Sequence, residues 1–252
     1  MRQAERLAAI LEELAEGGSV AVSSLRGRLG ASAATIRRDL ELLEQQHLLT
    51  RTHGGAVAHG VAYELPLRYK AGRHGDEKRR IAAEAARRVA SGMAVGLTGG
   101  TTTTEVARAL VERERLTVVT NALNIAGELA IRRDLKLVVT GGWARPESYE
   151  LVGPLAERSL EELNLDVAFL GVDGVSAAAG LTTHHEVEAH TNFALIERAR
   201  RAIVVADGSK VGRASFVRIC PAGSVDELIT DATAEAAALE AIREAGVAVT
   251  VV

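Results

Sequence analysis

The sequence predicts a small helical head closed by a β-hairpin, followed by a larger α/β domain with a parallel sheet covered by helices. Three observations carry the prediction. Apolar residues in the first 45 positions recur at helical spacing in three short runs, with glycines between them. A Gly-Gly pair suited to a tight turn comes next, at Gly54-Gly55. From Asp76 onward, apolar runs of strand length alternate with helical patterns to the last residue.

Leu7, Ile10, Leu11 and Leu14 stand at i, i+3, i+4 and i+7, and Gly17-Gly18 ends the helix they mark. Ser23 is expected to cap a second helix through Leu25 and Leu29, closed by Gly30. Ser32 caps a third, with Ile36, Leu40 and Leu43 on its buried stripe. Three short helices with a glycine-containing turn before the third are the layout of a helix-turn-helix. The segment from Leu48 to Ala56 then folds back as a wing, with Arg51 and His53 at or near its tip.

Charge placement says more than charge total. The net charge is −3, which by itself speaks weakly against nucleic acid. Yet Gly17 to Arg38 holds Arg26, Arg28, Arg37 and Arg38 and no acid, and Gln45 to Tyr63 holds Arg51 and no acid. The acids of the first 56 residues stand at Glu5, Glu12, Glu13 and Glu16, then at Asp39, Glu41 and Glu44. One basic face and one acidic face would suit phosphate; a mixed solvated surface fits the same charges. The first residues of a recognition helix meet the major groove, and here they are Ala33, Ala34, Thr35, Arg37 and Arg38. Small alanines allow close approach, Thr35 can bond a phosphate or a base edge, and the arginines can take guanine or phosphate. With Ser32, Arg51 and His53, these polar residues are the candidate DNA contacts.

Thr35-Ile36-Arg37-Arg38-Asp39-Leu40 followed by Arg51-Thr52-His53-Gly54-Gly55-Ala56 resembles the DeoR family of regulators. The two motifs at this separation are far more specific than either alone. The resemblance implies a winged helix-turn-helix with Thr35, Arg37 and Arg38 against DNA. Asp39 is read as an internal partner for an arginine, because phosphate would repel it. The organisation expected is a DNA-binding domain over residues 1–56, a basic linker over 57–75 and an α/β effector-sensing and oligomerisation domain over 76–252. The linker lacks periodicity and contains Gly60, Tyr63, Pro66, Arg68, Lys70, Gly72, Arg73 and Gly75. Its cations would add non-specific attraction to phosphate.

In the second domain Ile81, Ala82, Ala85, Ala86 and Val89 mark a helix. Strands are expected at Ala94 to Leu97, Leu116 to Thr120, Leu135 to Thr140, Val167 to Val172, Ala202 to Ala206, Leu228 to Thr230 and Val247 to Val252. Helices are expected at Thr104 to Val111, Leu123 to Ile131, Glu188 to Arg200 and Ala234 to Ala245. Parallel sheets of this kind bind ligands at the carboxyl ends of their strands. Thr98-Gly99-Gly100-Thr101-Thr102-Thr103-Thr104 occupies such an end, and its glycines, amides and hydroxyls can seat an anion. It is neither a Walker loop nor GxGxxG. Thr120-Asn121, Gly141-Gly142, Asp173-Gly174 and Asp207-Gly208-Ser209-Lys210 occupy equivalent ends. Any one of these could be a plain turn; together they suggest a site.

The family resemblance extends here, through Asp166 to Gly174 and Asp207 to Lys210, and implies a sensor domain similar to sugar-phosphate isomerases such as ribose-5-phosphate isomerase. By that resemblance Gly100, Thr101, Thr102 and Thr103 cradle a phosphate, and Asp173 and Lys210 face a sugar. The family often has Asp two residues before Gly-Thr-Thr; Thr98 stands there instead. The expected function is a repressor of carbohydrate genes, controlled by a phosphorylated sugar and acting as a homodimer or homotetramer on operator DNA. The competing reading is an isomerase-like enzyme with a DNA-binding head, using Asp173 and Lys210 as base and electrophile.

Other classes are disfavoured. Aromatic residues are 3% of the chain, too few for a single-strand stacking platform. Cys220 is the sole cysteine and is expected to be a small buried hydrophobe, which excludes an internal disulfide or zinc ribbon. His184-His185-Glu186-Val187-Glu188-Ala189-His190 lacks HExxH spacing, so no metal or cofactor is expected, and Glu186 or Glu188 is read as ligand-side. Charge near Met1 and the absence of a long apolar run predict a cytoplasmic protein without a membrane span.

Overall fold

The computed structural model describes residues 2–58, 65–70 and 72–252, without the side chain of Glu16. Gly60 and Tyr63 of the expected linker lie outside the described residues. The chain divides into two compact units, Met1–Arg73 and His74–Val252.

The first unit begins with α1 (Gln3–Gly17), which Gly18 ends at φ 69° while its N–H bonds Leu14 C=O. A strand that the sequence pattern does not predict, β1 (Ser19–Ala21), precedes α2 (Val22–Leu29) and α3 (Ala33–Gln45). The hairpin strands β2 (Thr50–Thr52) and β3 (Gly55–Val57) follow, then the short helix α4 (Leu67–Lys70). The three strands pair antiparallel in the order β1-β3-β2. Ser23 does not cap α2; the helix starts at Val22, whose N–H bonds Gly54 C=O at 2.8 Å. The turn of the wing, rather than a side chain, supplies that cap.

Ile10, Leu11, Leu14, Leu25, Ile36, Leu40, Leu43 and Leu49 form the core of this unit. Leu65 joins it, with Tyr69 packed alongside. Thus residues 65–70, expected to be linker from their lack of periodicity, are partly folded onto the head. The Tyr69 hydroxyl donates to Gln46 Oε1 at 2.5 Å, Arg68 donates to the same oxygen at 3.1 Å, and Arg73 pairs with Glu12.

The second unit runs α5 (Gly75–Ala86), β4 (Ala94–Leu97), α6 (Thr101–Ala109), β5 (Thr117–Thr120), α7 (Leu123–Leu129), β6 (Lys136–Val139). A small hairpin, β7 (Trp143–Ala144) with β8 (Leu151–Val152), leads to α8 (Pro154–Glu161). Then come β9 (Val167–Leu170), β10 (Gly174–Ser176), β11 (Gly180–Thr183), α9 (Glu186–Glu197), β12 (Ala202–Val205), β13 (Val217–Cys220), β14 (Glu227–Thr230), α10 (Ala236–Glu244) and β15 (Ala248–Val251).

Seven strands form one parallel sheet in the order β15-β14-β12-β9-β4-β5-β6. These are the seven strands expected from the sequence. Both faces are covered, so side chains alternate between two cores: Val167 and Phe169 pack with Ile81, Val106 and Ile125, while Ala168 and Leu170 pack with Leu160, Leu195 and Ile242. Cys220 is buried, 2% exposed, in the second of these. A separate antiparallel sheet, β10-β11-β13, has no counterpart in the sequence pattern, because its short strands sit among turn formers such as Gly174 and Gly180. The chain enters the large sheet at β4, proceeds outward to β6, then returns to β9 on the other side of β4. Strand order therefore reverses between β4 and β9, where a doubly wound sheet opens a crevice at its carboxyl ends.

Candidate functional site

In the first unit, Ser32 is the N-cap of α3, its Oγ accepting the Thr35 N–H at 3.1 Å and lying 2.9 Å from Thr35 Oγ1. This fixes the first turn of the helix that carries Arg37 and Arg38, both of which are exposed. The neighbouring Asp39 is 1% exposed, as an internal partner should be. Arg6 of α1 donates to it through Nε at 2.5 Å and Nη2 at 3.1 Å, and that hydrogen bonding raises the arginine's pKa. So the hexamer divides by helical phase, with arginines outward and the carboxylate against α1.

His53 and Gly54 make the wing's turn, since Thr52 and Gly55 are already paired. His53 is exposed there. Arg51 lies within β2 and its Nη1 stands 3.7 Å from Glu44 Oε2, so an acid of α3 attends a wing cation. Gly55 serves packing rather than turning: a Cβ there would stand 1.8 Å from the Val20 carbonyl oxygen.

In the second unit the phosphate candidates sit at the point where strand order reverses. Gly100, at φ 127°, is the N-cap of α6, so the helix begins at Thr101 and not near Thr104 as expected. The first intrahelical bond is Thr104 N–H to Gly100 C=O at 3.1 Å, which leaves the Thr101, Thr102 and Thr103 amides in the open first turn. The Thr103 and Thr104 hydroxyls donate back to Gly100 C=O at 3.0 and 2.7 Å. Thr101 is half-buried, whereas Thr102 and Thr103 are buried. A Cβ on Gly171, just beyond β9, would stand 2.7 Å from Gly99 C=O, so the two strand ends are in close contact. Thr98 is fully buried; its hydroxyl accepts from Gly171 N–H at 3.0 Å and donates to Gly99 C=O at 3.2 Å.

Asp173 and Lys210 are brought together, Nζ lying 3.6 Å from Oδ1. His184 Nε2 is 3.9 Å from Asp173 Oδ2, and His185 caps α9 by accepting Val187 N–H at 3.3 Å. Thr120 and Asn121, at the end of β5, are buried. The Thr120 hydroxyl donates to Leu97 C=O at 2.7 Å, and the Asn121 amide donates to Asn192 at 3.4 Å. Gly141 and Gly142 shape the β7–β8 hairpin: Gly142, at φ 118°, has no room for a Cβ, which would meet Val152 C=O at 2.6 Å. That hairpin carries residues that sequence reasoning missed. Glu150 accepts from Gly99 N–H at 2.6 Å, and Arg145 pairs with Glu188. No local spacing signals them, because Glu150 and Gly99 meet only through the fold.

Residues 6–60 match the DeoR-like helix-turn-helix domain, and residues 73–232 match the DeoR C terminal sensor domain. The chain belongs to the DeoR family. Its relatives include the HTH-type transcriptional regulator GlpR of Haloferax volcanii, 40% identical across 99% of this chain and 98% of the relative. A putative aga operon transcriptional repressor of Escherichia coli O157:H7 is 37% identical, over 98% and 93% of the two chains. The glycerol-3-phosphate regulon repressor of Escherichia coli K12 is 32% identical, over 92% of each. Among solved structures, ribose 5-phosphate isomerase A of Methanocaldococcus jannaschii has 22% identity over 54% of each chain, with a TM-score of 0.39. This DeoR-family member is a DNA-binding transcriptional regulator with a sensor domain, and the enzyme reading falls with that assignment. No helix among the described residues is long and apolar enough to cross a membrane.

Proposed function

We propose that this regulator represses carbohydrate genes in the cytoplasm and is controlled by a phosphorylated sugar held at the carboxyl ends of β4, β9 and β12. The phosphate would lie on Gly100 and the amides of Thr101, Thr102 and Thr103, with the Thr101 hydroxyl as a further donor. Asp173 and Lys210 would meet the sugar, while Thr120, Asn121, Gly141 and Gly142 support the surface from below and beside it. Ser32 and Thr35 would set the helix that Arg37 and Arg38 project toward base edges and phosphates, with Arg51 and His53 contributing from the wing. The protein would act as a homodimer or homotetramer, since helix-turn-helix proteins read paired half-sites.

The observation that carries the sensor half is the open first turn of α6 at the topological switch point. A helix N-terminus favours an anion by about 0.3–1 kcal/mol when exposed and up to about 2 when partly buried, before other bonds are counted. A relative's name, glycerol-3-phosphate regulon repressor, agrees in chemistry. Titration calorimetry tests this. Phosphate esters should bind and raise the melting temperature, their unphosphorylated parents should do much less, and Thr101→Ala should weaken the ester. Equal affinity for a sugar and its phosphate would remove the site.

A further inference from the structure

Two buried carboxyl groups, Glu150 and Glu188, stand between the α6 turn and Lys210 and influence one another electrostatically. Glu150 is 2% exposed; its Oε1 accepts Gly99 N–H at 2.6 Å, and its Oε2 is buried without a donor. Glu188 is 6% exposed; it accepts the Thr183 hydroxyl at 2.5 Å and pairs with Arg145. Thr183 Oγ1 is 3.4 Å from Asp173 Oδ2, and Asp173 faces Lys210. Burial first, then the charge of Glu188, pushes the Glu150 carboxyl well above its ordinary range. A neutral Glu150 can donate to Glu188 where a charged one would repel it.

Beyond the α6 turn the charges are therefore set in opposite pairs. Arg145 already faces Glu188 in a buried pair, and Lys210 faces Asp173 in a half-buried one, so a second anion would be desolvated here against cations that each have a carboxylate. Oxygens of hydroxyl and carbonyl groups can still exchange hydrogen bonds with this surface. We propose that Glu150 and Glu188 form a charge filter for the far end of the effector, admitting an uncharged sugar or polyol and excluding a second anionic group. The effector class is then a monophosphate ester, not a bisphosphate or a phosphorylated acid. This rests on the phosphate reading of the α6 turn.

The test is calorimetry on the full chain with matched pairs: fructose 6-phosphate against fructose 1,6-bisphosphate, glucose 6-phosphate against 6-phosphogluconate, glycerol 3-phosphate against 3-phosphoglycerate. Every monoester that binds should do so at least about tenfold more tightly than its counterpart with a second anionic group. Glu188→Gln removes the buried negative charge that faces Arg145, so the gap should narrow to about threefold or less. Glu150→Ala should lose about tenfold in monoester affinity, and Glu150→Gln should recover most of it, because an amide can accept from Gly99 and donate to Glu188. A ligand with a second anionic group that binds the unaltered protein as well as its monoester overturns the filter, whatever the variants do. So does a folded Glu188→Gln protein with an unchanged gap, or Glu150→Gln as weak as Glu150→Ala. The phosphate reading fails separately, if no ester in the panel binds or if Thr101→Ala leaves ester affinity intact.

Discussion

Arg37, Arg38 and Asp39 are consecutive, yet the fold gives them opposite tasks. The arginines are exposed on α3, while Asp39 is buried against Arg6. Replacing both arginines with alanine should weaken operator binding by about 1–3 kcal/mol for each guanidinium that bonds a base through two hydrogen bonds, with no change in melting temperature. Asp39→Ala should do the reverse. It removes charge-assisted hydrogen bonds worth about 1.5–3 kcal/mol, so the head should melt earlier, whether or not operator is present. Fluorescence anisotropy and thermal melts on the same variants separate the two effects. That Asp39 needs an arginine was legible from the sequence, since phosphate repels carboxylate. Which arginine was not, because Arg6 lies on another helix and only packing brings it there. Glu150 was illegible for the same reason, although the turn it braces was read correctly as a strand end.

Among the elements, the strands of the large sheet were legible because the five inner ones are buried on both faces and read as apolar runs, while the edge strands β6 and β15, partly exposed, still carry runs of valine and leucine. Their order was not, since local sequence carries no record of which runs are neighbours. The wing was read as a hairpin on its Gly-Gly pair, but Gly55 proves to be needed where β3 meets β1. Gly55→Ala would drive a Cβ into the Val20 carbonyl, so β1 and β3 must part. The expected result is faster amide exchange at Val20 and Ala56 and weaker operator binding, with the melting of the sensor domain unchanged; intact β1–β3 protection would contradict it. In the large sheet, Glu227 on β14 plays a comparable binding role. It is 5% exposed and accepts from Arg88 at 2.6 Å, Thr250 at 2.7 Å and Arg201 at 3.2 Å. Burial pushes this carboxyl up, but the hydrogen bonds from Arg88 and Thr250 outweigh it and hold the pKa below 4.5. Its contribution is therefore present above the ordinary value of 4.5 and is lost as pH falls through the lowered one. Glu227→Gln should cost on the order of 3 kcal/mol at neutral pH and flatten part of the acid limb of stability, as denaturant melts at several pH values would reveal.

For the whole molecule, the division into Met1–Arg73 and His74–Val252 places α3, the helix proposed to read DNA, and the α6 turn in different compact units. A fragment beginning at His74 contains the entire seven-stranded sheet and both of its cores, so it should fold alone and keep its affinity for a phosphate ester. Loss of ligand binding in a folded fragment would show that the effector site draws on the head. The central claim, that a phosphate on Gly100 to Thr103 governs operator binding, is tested most directly by operator affinity with and without a saturating sugar monophosphate. The account predicts a change of about fivefold or more in the unaltered protein, in keeping with ordinary allosteric coupling. It predicts little change with the unphosphorylated sugar, and little with Thr101→Ala at the same ester concentration, while ligand-free operator affinity stays the same in both proteins. An identical shift from sugar and sugar phosphate, or an undiminished shift in Thr101→Ala, would contradict it.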